Sequence, residues 1–591
     1  MGKVGGKSAA VAYHERHVNA RIGLRETMSL HTKVAVLVVS FTLAVLAGCG
    51  ADGSDNPSNP PVPPPGVSFS NANLNGTYVF SFAGYDRTHF NSSFFAIVGT
   101  LTANGNGSFT AGNLDVDDPA LGAALSTSYV STHLPASGSY NVTADGRGSG
   151  TIAVTLNGST VQFGLDFVLT SGSHGLISRF DGNGSGSGSI DLQATNIPQS
   201  ALQGSYSFGF YGVDSTIENW LATVGSFTLD GNGNITAGLQ DFSDNGNSVN
   251  LQGLALQGSV VTGAPASAQL VTTAAGFGAL RFDAWVIDAT HIKFIETDSL
   301  AYLEGDAYVS TGATAFPSGT LVLSTAGEDA AWGSFSAGGL LTSDGSSLIT
   351  GGLEDINDEG DVAQAPSISG SFTSNGSRTQ LVLNGIYNGG WSNNYVTAGN
   401  YTFAAYPYSG GVMLLEIDNG AGSTPGVAGG NLYVQSDLAL NTAVGYGLNL
   451  TGGNFNGEVD LIAQLTTNGS SLGGLYDVNN FGYALTDASL GGGGVYSVGP
   501  NGRGTMQFPA LQTNGNSFLG ALNLTFYVVD SSTAVILETD SQQSATGILV
   551  LQSDAGGTTA GQAHFMGKPP SALAAARTSG TISATSSDRV R

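Results

Sequence analysis

The stretch Asp230-Gly-Asn-Gly-Asn-Ile-Thr-Ala-Gly-Leu-Gln-Asp241 reads as a tight turn leading into a strand. It occurs four times in related form. The others are Asn104-Gly-Asn-Gly-Ser-Phe-Thr-Ala-Gly-Asn-Leu-Asp115, Asp344-Gly-Ser-Ser-Leu-Ile-Thr-Gly-Gly-Leu-Glu-Asp355 and the shorter Asn468-Gly-Ser-Ser-Leu-Gly-Gly-Leu-Tyr-Asp477. Asn-Gly and Asp-Gly supply the positive φ that hairpin turns need. An apolar strand precedes each turn, as in Ala96–Thr102 and Ala222–Leu229.

Upstream of each turn lies a block opening. Leu74-Asn-Gly-Thr-Tyr-Val-Phe-Ser-Phe-Ala-Gly-Tyr-Asp86 corresponds to Leu202-Gln-Gly-Ser-Tyr-Ser-Phe-Gly-Phe-Tyr-Gly-Val-Asp214, to Pro317–Asp329 and, more loosely, to Thr442–Asn454. Tyr78, Phe80 and Phe82 alternate with smaller residues, the period of a strand with one buried face. The shared glycines Gly84, Gly212, Gly327 and Gly452 are spaced far beyond the 20–50 residues of a solenoid unit, so each repeat is a whole domain.

Downstream come Gly138–Gly148 and Gly494–Gly504, each a strand, a Gly turn and a strand. An apolar pair follows, as in Leu524–Asp530 and Ala534–Asp540. The last strand ends at Gln193, Gln435 or Gln552. Each block holds about eight strands joined by short loops. A meander of that length exposes edges unless it closes, so the expected fold is all-β, with four tandem antiparallel up-and-down β-barrels. The alternative is a string of immunoglobulin-like sandwiches, which run nearer 100 residues with about seven strands.

Bulk composition agrees. Charged residues are only 10% of the 591, and glycine accounts for 88. Long exposed helices need Glu, Lys and Arg on their outer face, and these are scarce here. The net charge is −26, which repels nucleic acid and anionic headgroups.

The N-terminus reads as an address. Val34–Gly48 is apolar but too short for a confident membrane span, and Lys33 precedes it. It ends in Leu46-Ala-Gly-Cys49, which resembles a bacterial lipobox. That resemblance implies that Cys49 becomes the first mature residue and carries diacylglycerol and palmitate-type chains. Cys49 is the single cysteine, so no disulfide within the chain can form. Met28 makes a better signal start than Met1. Gly50 after the Cys favours the outer membrane over inner-membrane retention. Residues 50–66 form a tether with five prolines between 60 and 65, which favours extended polyproline II. The expected division is 1–48 extension and signal peptide, 49–66 lipidated Cys and tether, β-domains at 67–198, 199–313, 314–437 and 438–555, and a disordered tail at 556–591.

The opening Gly-Thr-Tyr and Gly-Ser-Tyr faintly resemble lipocalin and avidin barrels, which open with Gly-x-Trp. The whole plan is similar to bacterial surface lipoproteins built from tandem Gly-rich β repeats. That likeness implies no activity.

Candidate chemistry is sparse. Asp230, Asn232, Asn234 and Asp241 fall at positions 1, 3, 5 and 12 of a loop, where an EF-hand places calcium ligands. Ile235 stands where that loop needs Gly, so a simple hairpin turn is the favoured reading. Glu296 with Asp298, Glu416 with Asp418 and Glu538 with Asp540 recur on the seventh strand. They are either a solvated face, a strand-end turn or, if they face a lumen, a polar ligand handle; Arg179 and Asp181 replace them in block one. The histidines show no HxH or HExxH spacing, so zinc is not expected. Trp332 and Trp391 of block three could stack on sugars or apolar ligands, although a core role is the commoner one. Together with the tyrosines of Tyr401–Tyr408 they make block three the most divergent.

The function expected is a non-catalytic, exported, lipid-anchored surface module of structural or adhesion type, at the outer membrane or cell surface. No cofactor is expected apart from calcium as a candidate. Its partner would be the membrane through the anchor, with a glycan, small apolar ligand or surface protein as further candidates and no nucleic acid. The alternative is a small-molecule or glycan carrier using the barrel interiors. A hydrolase ranks below both.

Overall fold

A computed structural model describes residues 66–553, apart from 88–92, 122–129, 157, 216–219, 245–248, 264, 273–278, 299–300, 311–314, 329–333, 359, 389–395, 419–426, 455–456, 491–492, 514–515 and 542. The signal region with Cys49, the tether before Gly66, the tail at 556–591, Trp332 and Trp391 therefore lie outside the described residues.

The described chain forms four eight-stranded antiparallel barrels. Barrel one uses Asn75–Asp86, Ser93–Asn104, Ser108–Asp117, Val130–Val142, Arg147–Leu156, Ser159–Leu169, His174–Asp181 and Gly184–Leu192. The last strand pairs back onto the first, from Tyr78↔Leu192 to Asp86↔Gly184. Barrel two repeats this from Gln203–Asp214 to Ala301–Val309. Barrels three (Ser318–Glu328 to Val427–Val434) and four (Gly445–Asn454 to Gln543–Leu551) close in the same way. In these two the fourth strand is broken. Its first piece is Asp361–Ala363 or Tyr483–Ser489, and its second is Ser369–Asn375 or Gly494–Val498.

The repeated turn joins strands two and three. In barrel two Gly231 and Gly233 take φ of +79° and +98°, and the Asp230 carboxylate accepts the amides of Asn232 and Asn234 at 2.7 and 3.0 Å. The ladder then slips by one residue at Thr228/Leu229. Barrels one and three show the same slip. Barrel four pairs Asn468 directly with Ser471 and carries no slip in this ladder. A shorter loop and the missing bulge account for the two residues its motif lacks.

The glycine that marks every block allows closure. A Cβ at Gly84, Gly212 or Gly327 would stand 2.1, 1.8 or 2.2 Å from a carbonyl oxygen of the eighth strand; at Gly452 it would stand 2.2 Å from the Ala545 Cβ. Only glycine lets strands one and eight approach this closely. The tyrosine six residues earlier ties the barrel end. Tyr78, Tyr206 and Tyr446 donate their hydroxyls to Gly172, Ala289 and Ser531 carbonyls at 2.7, 2.7 and 2.9 Å, each in the turn between strands six and seven.

Inward residues fill each barrel. In barrel one Phe82 stacks on Phe80 and meets Phe95 and Phe163 edge to face, at centroid spacings of 5.9–6.4 Å. In barrel two Phe210 packs on Phe282 and Phe294. The alternation expected for a half-buried strand has a second use, because the outward residues of strands one and two are buried as well. They pack against the neighbouring barrels. Val79, Phe94 and Val98 of barrel one meet Trp285, Ile295 and Tyr302 of barrel two. Tyr211, Trp220 and Val224 of barrel two meet Tyr406, Met413 and Leu415 of barrel three. Val322 and Leu340 of barrel three, Ile462, Tyr527 and Ile548 of barrel four, and Val168 and Leu176 of barrel one share a further cluster. The order is cyclic, with the fourth barrel returning to the first. Four similar units in head-to-tail contact close into a ring when the rotation between them allows it.

Candidate functional site: the junctions between barrels

Each junction is built from the same positions, three of them set by residues that stand out in the sequence. Leu114 and Val116 point into barrel one, so Asp115 between them points out. Asp115, Asp241, Asp355 and Asp477, which end the four copies of the repeated stretch, are all buried at the boundary with the next barrel. Each first accepts an amide from its own barrel: His133, Gly253, Ala365 and Asp487 donate at 2.6, 3.0, 2.8 and 2.6 Å. All four donors have positive φ, between 53° and 61°. Glycine adopts this region freely; for His133, Ala365 and Asp487 it costs of order 1–3 kcal/mol each.

The next barrel supplies the counter-group. Arg378 of barrel three clamps Asp241 with Nε and Nη2 at 2.9 and 2.8 Å, and the Tyr406 hydroxyl joins it. Arg503 of barrel four clamps Asp355 at 2.7 and 2.8 Å, with the Tyr527 hydroxyl beside it. Arg147 of barrel one reaches Asp477 at 3.0 Å and Asp487 at 2.6 Å, while its Nε holds Asp145. Arg147 and Arg503 come from the strand-turn-strand motif Gly-Arg-Gly, whose role as a clamp has no local signature. Burial raises the Asp477 carboxyl and Arg147 opposes that shift.

A second clasp comes from the residue after the eighth strand. The Gln193 amide donates to the Val286 carbonyl at 2.7 Å, Gln435 to Val528 at 2.8 Å and Gln552 to Leu169 at 2.9 Å. In barrel two Ser310 does the same to Pro407 at 2.9 Å. These four carbonyls occupy one position on strand six of the next barrel. The recurring glutamines are thus hooks between barrels.

A third position lies two residues beyond the aspartate. Asn357 donates to the carbonyls of Glu538, Asp540 and Gln543 at 3.0, 3.1 and 2.7 Å, and Asn479 to those of Arg179 and Gly184 at 3.0 and 2.7 Å. Barrel one has Asp117 there. Both Asp117 oxygens are buried without a hydrogen-bond partner, and burial, then Asp118 and Asp298, raise this carboxyl well above the usual range.

The other sequence candidates fall elsewhere. Asp230 sits in an exposed turn, whereas Asp241 lies opposite Val224 at the ion pair with Arg378. Six residues of strand separate these levels, about 20 Å, so Asp230, Asn232, Asn234 and Asp241 are not brought around one point. Glu296, Glu416 and Glu538 share the inward register of Ile292/Phe294, Val412/Leu414 and Ala534/Ile536. They face packed interiors, not a solvated face. Burial, then Asp298, pushes Glu296 up to about 12. Burial and the neighbouring Asp418 or Asp540 raise Glu416 and Glu538 as well. Asp298, Asp418 and Asp540 accept the amides of Arg281, Thr402 and Asn523 at 3.0, 2.5 and 2.8 Å, tying the end of strand seven to strand six. Arg179 fills the same level of barrel one, over Phe95 and Phe163 and paired with Asp86 at 2.8 Å. Tyr401 points into barrel three, and Tyr408 stacks on Tyr308 of barrel two at 5.2 Å.

A cavity of about 350 Å³ opens beside the first junction, between Thr77, Thr100 and Asn113 of barrel one and Thr262, Pro265 and Trp285 of barrel two.

No family model matches the chain, and no curated protein matches it. Among solved structures, the vaccine antigen transferrin binding protein B of Haemophilus parasuis, as a tryptophan-to-alanine mutant, is similar at 7% identity and a TM-score of 0.20, over 65% of this chain and 84% of that one.

Proposed function

We propose that this chain is an exported, lipid-anchored surface protein whose four barrels act as one non-catalytic module of structural or adhesion type. The observation that carries the reading is Leu46-Ala-Gly-Cys49 with its Pro-rich tether, placed ahead of four filled barrels held in a ring. A rigid ring on a stiff spacer presents a fixed surface away from the bilayer. A partner at that surface would be a glycan or another surface protein. Aromatic packing inside the barrels weighs against an interior carrier function.

The test is expression of the full chain in a Gram-negative host fed labelled palmitate. The expected result is label on the protein, loss of that label in Cys49→Ser, and digestion of the barrels by protease added to intact cells. An unlabelled protein in the soluble fraction would refute the anchor. A labelled protein protected from protease would refute the surface location.

A further inference from the structure

Three junctions place an arginine on the strand-three aspartate, and one does not. The register shows what replaces it. Arg147 lies opposite Val168 and Arg503 opposite Tyr527. Thr379 lies opposite Ala405, which puts Arg378 opposite Tyr406. In barrel two Ala266 lies opposite Ala284, so Pro265 takes the arginine position opposite Trp285. Trp285 donates its indole N–H to Asp115 at 2.9 Å, but it carries no charge.

The same junction is acidic. Asp283 stands where Ala404 and Thr525 stand in barrels three and four and where barrel one has Asp166, close to Arg147; Asp117 stands where Asn357 and Asn479 stand. Asp115, Asp117 and Asp283 are all buried. The side chain at the left-handed position also changes. Asp487 uses that position to hold the Arg147 guanidinium; His133 uses it to bring its imidazole to Asp283, Nε2 to Oδ2 at 2.8 Å. Ligand atoms of Asp115, His133 and Asp283 all lie within 4.8 Å of one another. The His133 side chain is 53% exposed, which leaves a path from solvent. A buried carboxylate pair is stable only with a proton or a counter-charge, and the fourth junction supplies the counter-charge with Arg147.

We propose that Asp115, His133 and Asp283 bind a divalent metal cation, of the class that accepts imidazole together with carboxylates, such as Zn²⁺ or Mn²⁺. The ion stands in for the missing guanidinium and ties barrel one to barrel two. Two of the ligands come from strands three and four of barrel one and the third from strand six of barrel two. Their separation in sequence explains why no zinc-type spacing marks them. The neighbouring Asp117 carboxyl is buried beside them without a hydrogen-bond donor of its own.

The test uses the full chain, purified without a histidine tag, stripped with chelator and titrated with Zn²⁺ and with Mn²⁺ by calorimetry. One site per chain in the micromolar range or tighter is expected for at least one ion, together with a higher melting temperature. His133→Ala and Asp283→Asn are each expected to weaken binding by more than about 100-fold, beyond the 10–100-fold typical of outer-shell changes. Pro265→Arg, which restores the guanidinium, is expected to abolish both binding and the thermal response. Arg378→Ala, at another junction, leaves binding unchanged. Failure of the wild-type chain to bind either ion below about 100 µM overturns the proposal, and so does binding that survives His133→Ala and Asp283→Asn. His133 is exposed, so its variant folds and the comparison holds even if Asp283→Asn does not.

Discussion

Replacing Arg503 by methionine tests the ring directly. Arg503 holds Asp355 through two bonds at 2.7 and 2.8 Å, its own side chain is 19% exposed, and Asp355 is fully buried. Methionine keeps the aliphatic stem and removes the charge. Asp355 then retains the Ala365 amide and the Tyr527 hydroxyl but loses the cation that Arg503 supplied. Removing one member of a buried ion pair costs 3–5 kcal/mol. With two neutral donors left and partial solvent access, we expect about 3 kcal/mol, or about two orders of magnitude in the opening equilibrium of the junction. Four coupled barrels need not unfold as one unit, so a global midpoint is a blunt readout. Hydrogen exchange is sharper. Amides of Leu348–Asp358 and Leu522–Asp530 should exchange about 100-fold faster, while those of barrel two's core stay unchanged. Adding Asp355→Asn to Arg503→Met removes the stranded charge and should recover about 2 kcal/mol. A change of less than about threefold in exchange, or a double variant as unstable as the sum of its singles, would falsify the view that this pair holds the ring.

Other outcomes follow from the same geometry. Gln552→Ala deletes two buried donations, to Asp145 and Leu169, and should cost about 1–2 kcal/mol at the closing junction, read as faster exchange in Ser159–Leu169. Gly212→Ala forces a Cβ to within 1.8 Å of the Tyr302 carbonyl oxygen and should cost about 3 kcal/mol or more in urea titration. Glu296, pushed up to about 12 by burial and Asp298, is protonated in the fold and ionised when unfolded above its ordinary range. Its contribution is complete at acid pH and declines as pH climbs toward 12. Glu296→Gln should therefore melt at the wild-type temperature near pH 4 and above it at pH 8. The Asp115 carboxyl is pushed up to about 8 by burial, with Asp283 adding to the shift and the His133 amide and Trp285 opposing it. By the same sign its contribution falls as pH approaches 8. Metal-free protein should thus lose protection at the first junction between pH 5 and 8, and cation affinity should rise over that range.

Period-2 alternation and Gly-rich turns were enough to read eight strands per block and closure into barrels, because both depend on neighbours along the chain. The ring was not readable in that way. Tyr211, Val213, Trp220 and Val224 look like ordinary apolar strand residues, and nothing local says that their side of the strand faces another barrel. The carriers of the ring were nevertheless visible as repeats. The final aspartate of each turn motif lies at every junction, the Gly-Arg-Gly arginines serve two of them and the glutamines after the eighth strand three. Repetition therefore marked the residues without indicating what they touch. Departures from the repeat are informative in turn. At the second junction Ser310 stands for the glutamine and Arg378 lies outside a Gly-Arg-Gly, yet the cation on the aspartate is kept. At the first, Pro265 removes the cation itself, and the left-handed position carries an imidazole that reaches Asp283 beside Asp115. Loss of the guanidinium and arrival of a metal-type ligand at one place are what a cation taken from solution would require.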